Sequence, residues 1–114
     1  MGEKKFVRLM TVLVAVLVLG GCVTVGEDFP VDPVSRLEMG ATTRAEVREM
    51  FGAPWRMGVE DGQETWTYAL YRYSAFAPAR TRDLVVRFDA SGVVRSYSFN
   101  STDPADAGRA AKAP

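Results

Sequence analysis

The apolar positions of this chain change their period as it proceeds. Residues 9–19 form an apolar run broken only by Thr11 and preceded by Lys4, Lys5 and Arg8. At about 1.5 Å of helical rise per residue, that run is well short of a hydrocarbon core of roughly 30 Å. Extending it to residues 6–25 would carry Arg8, Gly20, Gly21 and Thr24 into the span. The pattern therefore predicts a signal peptide over residues 1–21. Residues 22–32 contain Gly26, Glu27, Asp28 and Pro30 and show no sustained period, so they read as a tether.

Helical spacing follows. Asp32-Pro33 opens a short helix, with Asp32 as its cap and Pro33 at its first position. Val34 and Leu37 share one face, and Gly40 ends the segment as a left-handed residue. Thr43-Arg44-Ala45-Glu46 is a capping box. Behind it, Val47, Met50 and Phe51 form a narrow apolar stripe, closed by Gly52 and Pro54. So short a helix does not persist alone and needs an apolar surface to lie on.

Alternation then takes over. Asp61-Gly62 is a two-residue turn signal between extended arms. Residues 55–60 form a weak edge strand on one side of it. Residues 64–73 form the first convincing strand, with Trp66, Tyr68 and Leu70 on one face and Thr65, Thr67, Ala69 and Tyr71 on the other. Residues 74–80 read as a loop broken by Pro78, with Phe76 near its tip. Residues 82–88 place Leu84, Val86 and Phe88 inward. Asp89-Ala90-Ser91-Gly92 is a tight turn. In residues 93–100, Tyr97 and Phe99 fix the inner face. Val93 shares their parity and Val94 does not, which points to a bulge. The expected architecture is α+β, with two short N-terminal helices packed on a three-stranded antiparallel meander over residues 33–100. Residues 101–114 carry no large apolar side chain and read as a disordered tail, so their deletion is expected to change stability little.

Composition narrows the function classes. The chain has 114 residues and zero formal net charge, which bounds it to one small domain. Removing the basic leader leaves a slightly acidic remainder with no basic stripe for nucleic acid. There is no histidine, so the commonest metal ligand and general base are both missing. Cys22 is the only cysteine and has no internal disulfide partner. It ends Leu19-Gly20-Gly21-Cys22, where small residues offer a peptidase an unhindered backbone. This box resembles the lipobox of bacterial lipoproteins. The resemblance implies a thiol joined to diacylglycerol, cleavage between Gly21 and Cys22, and acylation of the new amino terminus. An ordinary secretory signal with a stray thiol and an uncleaved anchor are the alternatives. Val23 stands where a similar lipoprotein retained at the inner membrane would carry aspartate, so the resemblance implies transfer to the outer membrane.

A longer pattern joins these elements. Leu37, Gly40, Thr42, Val47, Phe51, Gly52 and Pro54 are followed by Trp66-x-Tyr68, and then by Leu84-x-Val86-x-Phe88-Asp89-x-x-Gly92-x-Val94. This resembles the SmpA/OmlA (BamE-like) family of outer-membrane lipoprotein domains over about residues 34–99. The resemblance implies a non-enzymatic scaffold or accessory protein of the β-barrel assembly machinery, lipid-anchored in the outer membrane and facing the periplasm. It also implies affinity for anionic lipid headgroups such as phosphatidylglycerol. Residues 26–33 depart from the family, whose tyrosine- and proline-containing stretch ends in Gln-Gly. The alternative is an envelope-maintenance or inhibitor-like binding lipoprotein of the same fold with another partner.

Catalytic chemistry finds no support. The serines lack a histidine to activate them, and Lys112, the one lysine after the leader, lies in the tail. Glu60, Asp61 and Glu64 cluster at a turn without the spacing of a calcium loop, and they read as a solvated acidic hairpin. No cofactor or metal is expected. Binding has more to work with. Tyr71, Arg72, Tyr73 and Phe76 gather with Arg80 and Arg82 at one hairpin end, and Trp55-Arg56 follows the second helix. Aromatic and arginine side chains are the usual anchors of interfaces. These six — Trp55, Arg56, Tyr71, Arg72, Tyr73 and Phe76 — are the candidate partner-binding residues.

Overall fold

The computed structural model describes residues 2–19 and 21–112. Met1, Gly20 inside the Leu-x-Gly-Cys box, Ala113 and Pro114 lie outside them. Helix α1 (Gly2–Leu19) covers the basic and apolar N-terminal stretch, and its side chains through Ala15 are exposed. Among the described residues, no helix is long and apolar enough to cross a membrane.

A twelve-residue strand, β3 (Gln63–Ser74), organises the rest. Along one edge it pairs antiparallel with β4 (Ala77–Phe88), which in turn pairs with β5 (Val94–Ser101). Its other edge is shared end to end by two short strands. β2 (Arg56–Glu60) takes residues 63–67, and β1 (Cys22–Gly26) takes residues 70–74. The sheet therefore has five strands, where alternation predicts three and a weak edge. The α+β class stands. The added strand corrects the reading of a free tether: residues 22–26 are sheet, and Phe29 and Val31 behind them are buried. Gly26 makes this possible. Its φ is +89°, and an added Cβ would sit 2.1 Å from the Ala69 carbonyl oxygen. Only glycine allows β1 to leave the sheet there while Glu27 N–H donates to that same oxygen at 2.9 Å.

The turns follow local chemistry. Asp61 and Gly62 both have positive φ and close the β2–β3 hairpin. The Asp89 carboxylate accepts from Ser91 N–H at 2.9 Å, Ser91 Oγ at 2.7 Å and Val93 N–H at 3.2 Å. The Ser91 hydroxyl and these backbone donors hold its pKa below the ordinary carboxylate value. The register slips by one between Arg87 and Phe88, which face Ser96 and Val94. Arg95 is thus the extra residue, and Val94 joins Tyr97 and Phe99 on the inner side. The residues 74–80 loop is shorter than expected, because β4 begins at Ala77. Pro78 lies beside a register irregularity between Arg72 and Ser74, where a missing N–H is tolerated.

Helix α2 (Arg44–Phe51) has the full Thr43/Glu46 capping box and ends at Gly52. Its buried Val47 and Phe51 pack with Trp66, Tyr68, Leu84, Val86, Phe88 and Val94 into one core. Arg48 lies over the Trp66 ring at 5.1 Å. Glu64 accepts from Trp66 Nε1 at 2.7 Å and pairs with Arg44 Nε at 2.7 Å. Tyr68 donates its hydroxyl to the Gly52 carbonyl at 2.9 Å, and burial raises its pKa to about 12. The first predicted helix is instead a 3-10 turn (Asp32–Arg36) capped at Val31 without a side-chain bond. Asp32 does not cap it; its carboxylate reaches Arg109 Nε at 2.7 Å. Gly40 falls in the following turn and donates to the Val94 carbonyl at 2.7 Å.

Arg109 belongs to a helix where the composition predicts disorder. α3 (Pro104–Ala110) is capped by Asp103 and docks through a carboxylate rather than an apolar stripe. Asp106 is 1% exposed. It accepts from Arg82 Nε at 2.8 Å, Ser101 Oγ at 2.8 Å and Arg109 at 3.3 Å. Burial raises its pKa, but the bonds from Arg82 and Ser101 and the two guanidinium charges outweigh burial, so the net shift is downward.

Two predictions follow from this packing. Trp66→Ala should cost about 3–5 kcal/mol in chemical denaturation; near-normal stability would place Trp66 outside the core. Asp106→Ala should cost about 1–3 kcal/mol. Because the folded pKa of Asp106 is depressed, its contribution is complete above the ordinary carboxylate value. It is lost as pH falls through the lowered folded value. Acid titration of wild type should therefore show amide protection in α3 fading below about pH 4 while Asp106→Ala shows no such step; identical profiles would contradict the docking role.

Candidate functional site

The register of β3 sorts the six candidate residues onto two faces. Residues 66, 68 and 70 face the core, so 71 and 73 project from the opposite side of the sheet. On β1, Val25 is opposite Tyr71 and Val23 is opposite Tyr73. On β2, Arg56 is opposite Thr67 and joins the same outer face. Trp55, just before β2, meets Tyr71 edge-on with ring centroids 6.5 Å apart. The Arg56 guanidinium covers the Trp55 ring at 4.7 Å. Trp55, Arg56, Tyr71 and Tyr73 thus form one aromatic and cationic strip, extended by Val23 and Val25. Tyr73 and Val23 are 47% and 55% exposed, while Trp55 and Tyr71 are half-buried. Burial is the main cause of the raised Tyr71 pKa, with Asp83 and Tyr73 adding to it against Arg56.

Arg72 is not part of that strip. It lies on the other face, directly opposite Arg80 on β4. Like charges facing each other across strands repel. Among the described residues neither forms an ion pair, whereas Arg82 is matched by Asp106 and by Asp28 at 3.1 Å. Arg72, Arg80 and Arg82 line a groove of about 430 Å³ together with Leu70, Thr102 and Asp106. Phe76 stands apart at the tip of the β3–β4 hairpin, 83% exposed. Cys22 is exposed at the start of β1, opposite Ser74, at this same hairpin end.

Spacing alone brings Tyr71 and Tyr73 together and suggests the nearness of Trp55. It does not reveal Val23 and Val25, whose only signal is a three-residue alternation, or the groove wall contributed by α3. The acidic hairpin is structural: Glu60 pairs with Arg87 at 2.9 Å, and Glu64 holds Arg44 and Trp66. Among the described residues, no three His, Cys, Asp or Glu side chains converge to hold a metal ion. The geometry offers surfaces for binding: an aromatic strip for a protein, and an unmatched arginine pair for an anion.

No curated protein matches the chain in sequence. The family model for the outer membrane protein assembly factor BamE domain matches residues 29–98. The match begins at Phe29, the first buried residue after β1, and runs to Ser98 within β5, so it takes in α2 and the sheet from β2 to β5. On this match, which spans more than half of its length, the chain belongs to the BamE family.

Proposed function

We propose that this chain is a lipid-anchored, non-enzymatic accessory protein of the outer-membrane β-barrel assembly machinery, held at the periplasmic face of the outer membrane by acyl groups on Cys22. The family match over the folded domain carries this reading. The ordered leader and Leu19-Gly20-Gly21-Cys22 support the anchor. More than one acyl chain is needed for stable attachment, which the expected modification supplies.

In this reading the strip of Trp55, Arg56, Tyr71 and Tyr73 takes a protein partner. Its aromatic rings are partly fixed by neighbours and cost little ordering on binding, as effective interface anchors do. Arg72 and Arg80 face anionic headgroups, because an anion relieves their mutual repulsion. Lipid tethering raises the local concentration, so modest contacts suffice. One observation favours a different partner: residues 26–33 lack the family's Gln-Gly stretch, and Gly26 instead ends a strand. The second reading is therefore an envelope-maintenance or inhibitor-like binding lipoprotein of the same fold.

Affinity purification in mild detergent tests these readings. Recovery of β-barrel assembly proteins supports the first; their absence together with another stable partner supports the second. Arg56→Ala and Tyr73→Ala, both at exposed positions, should each weaken capture about tenfold without loss of fold. Wild-type capture by both variants would move the interface off this strip. Cys22→Ser should abolish acyl labelling, and unchanged labelling would end the lipoprotein reading.

A further inference from the structure

The β1–β3 register puts the expected lipid and the hairpin tip at one point. Cys22 is opposite Ser74, and Ala75 N–H donates to the Gly21 carbonyl at 3.1 Å. Cleavage between Gly21 and Cys22 would remove that carbonyl and leave an amine. Acylation of the amine by a phospholipid re-forms an amide: the acyl C–O ester bond breaks, the new C–N bond forms, and the amine proton leaves with the lysophospholipid alcohol. The acyl carbonyl is then bonded to the same nitrogen as the Gly21 carbonyl was and has the same planar trans geometry.

We propose that the N-acyl carbonyl on Cys22 replaces the Gly21 carbonyl as acceptor for Ala75 N–H, clamping the β3–β4 hairpin tip to the lipid so that Phe76 lodges in the bilayer. The inference rests on the lipidation reading above. The occupant of the tip is the lipid surface itself. Phe76 is a large apolar side chain 83% exposed, and its neighbours Ala75, Ala77 and Pro78 are small or apolar. Tyr73 flanks it, and Arg72 and Arg80 lie just behind it on the paired strands. An apolar tip backed by tyrosine and arginine is the order in which side chains meet a membrane interface. Acyl chains beginning one residue pair away leave the tip no distance to span. The domain would then stand on this hairpin, with the Asp89–Gly92 turn at the far end of β4 from the bilayer.

The test uses the lipidated protein in liposomes of phosphatidylethanolamine and phosphatidylglycerol, with acylation of Cys22 read by mass spectrometry. Ala75→Cys and Ala90→Cys variants each carry an environment-sensitive fluorophore on the introduced thiol, and lipids brominated on their acyl chains act as quenchers. The Ala75 probe should be quenched strongly and the Ala90 probe left at its lipid-free intensity. Phe76→Asp in the Ala75-labelled protein should cut that quenching at least severalfold with acylation unchanged. In unlabelled protein, Ala75 amide exchange should be at least tenfold slower in the N-acylated form than in the form bearing only the thioether lipid. Acylated protein whose two probes are quenched alike, or whose Ala75 amide exchanges equally in both forms, overturns the proposal. Absence of acyl mass on Cys22 overturns the lipidation reading and this proposal with it.

Discussion

The structure depends on β3 being paired along both edges. A strand of twelve residues carries two rows of backbone donors and acceptors, and each must find a partner or water. β4 satisfies one row. The other is divided between β2 and β1, which meet β3 head to tail with Tyr68 and Ala69 between them. At that point Gly26 turns away and Glu27 caps the Ala69 carbonyl. Everything placed by β3 inherits this division: Trp66 and Tyr68 against α2 on one face, Tyr71 and Tyr73 beside Val25 and Val23 on the other.

The helix and strand layers were legible where the signal is local. The Thr43/Glu46 capping box, the Asp61-Gly62 turn and the alternation of Leu84, Val86 and Phe88 each need only a few adjacent residues. The conflicting parity of Val93 and Val94 was also readable, because a single bulged residue is the simplest way to bury both Val94 and Tyr97. β1 was not legible. Its residues pair with a strand about fifty positions later, and a three-residue alternation beside Gly26, Glu27, Asp28 and Pro30 carries no local preference for a sheet. α3 escaped for another reason. Its docking residue is Asp106, and a buried carboxylate held by Arg82 and Ser101 leaves no hydrophobic period to find.

The candidate site was legible as a set of residue types and less so as a geometry. Tyr71, Arg72, Tyr73 and Phe76 are consecutive or nearly so, yet alternation sends Arg72 to the face opposite its tyrosine neighbours and leaves Phe76 at the tip. Trp55 joins Tyr71 because β2 turns back along β3. The charge pattern explains why one arginine is structural and two are available. Arg82 is paired with Asp28 and Asp106, while Arg72 and Arg80 face each other across the strands and, among the described residues, form no ion pair.

The central claim is that residues 22–26, directly after the Leu-x-Gly-Cys box, are sheet rather than tether. Residue-resolved amide exchange tests it most directly. Glu27 N–H, bonded to the Ala69 carbonyl, and the amides of β1 should exchange slowly, with protection approaching that of Val86 in β4. Exchange of Glu27 and residues 23–26 at free-chain rates, with Val86 still protected, would contradict the account.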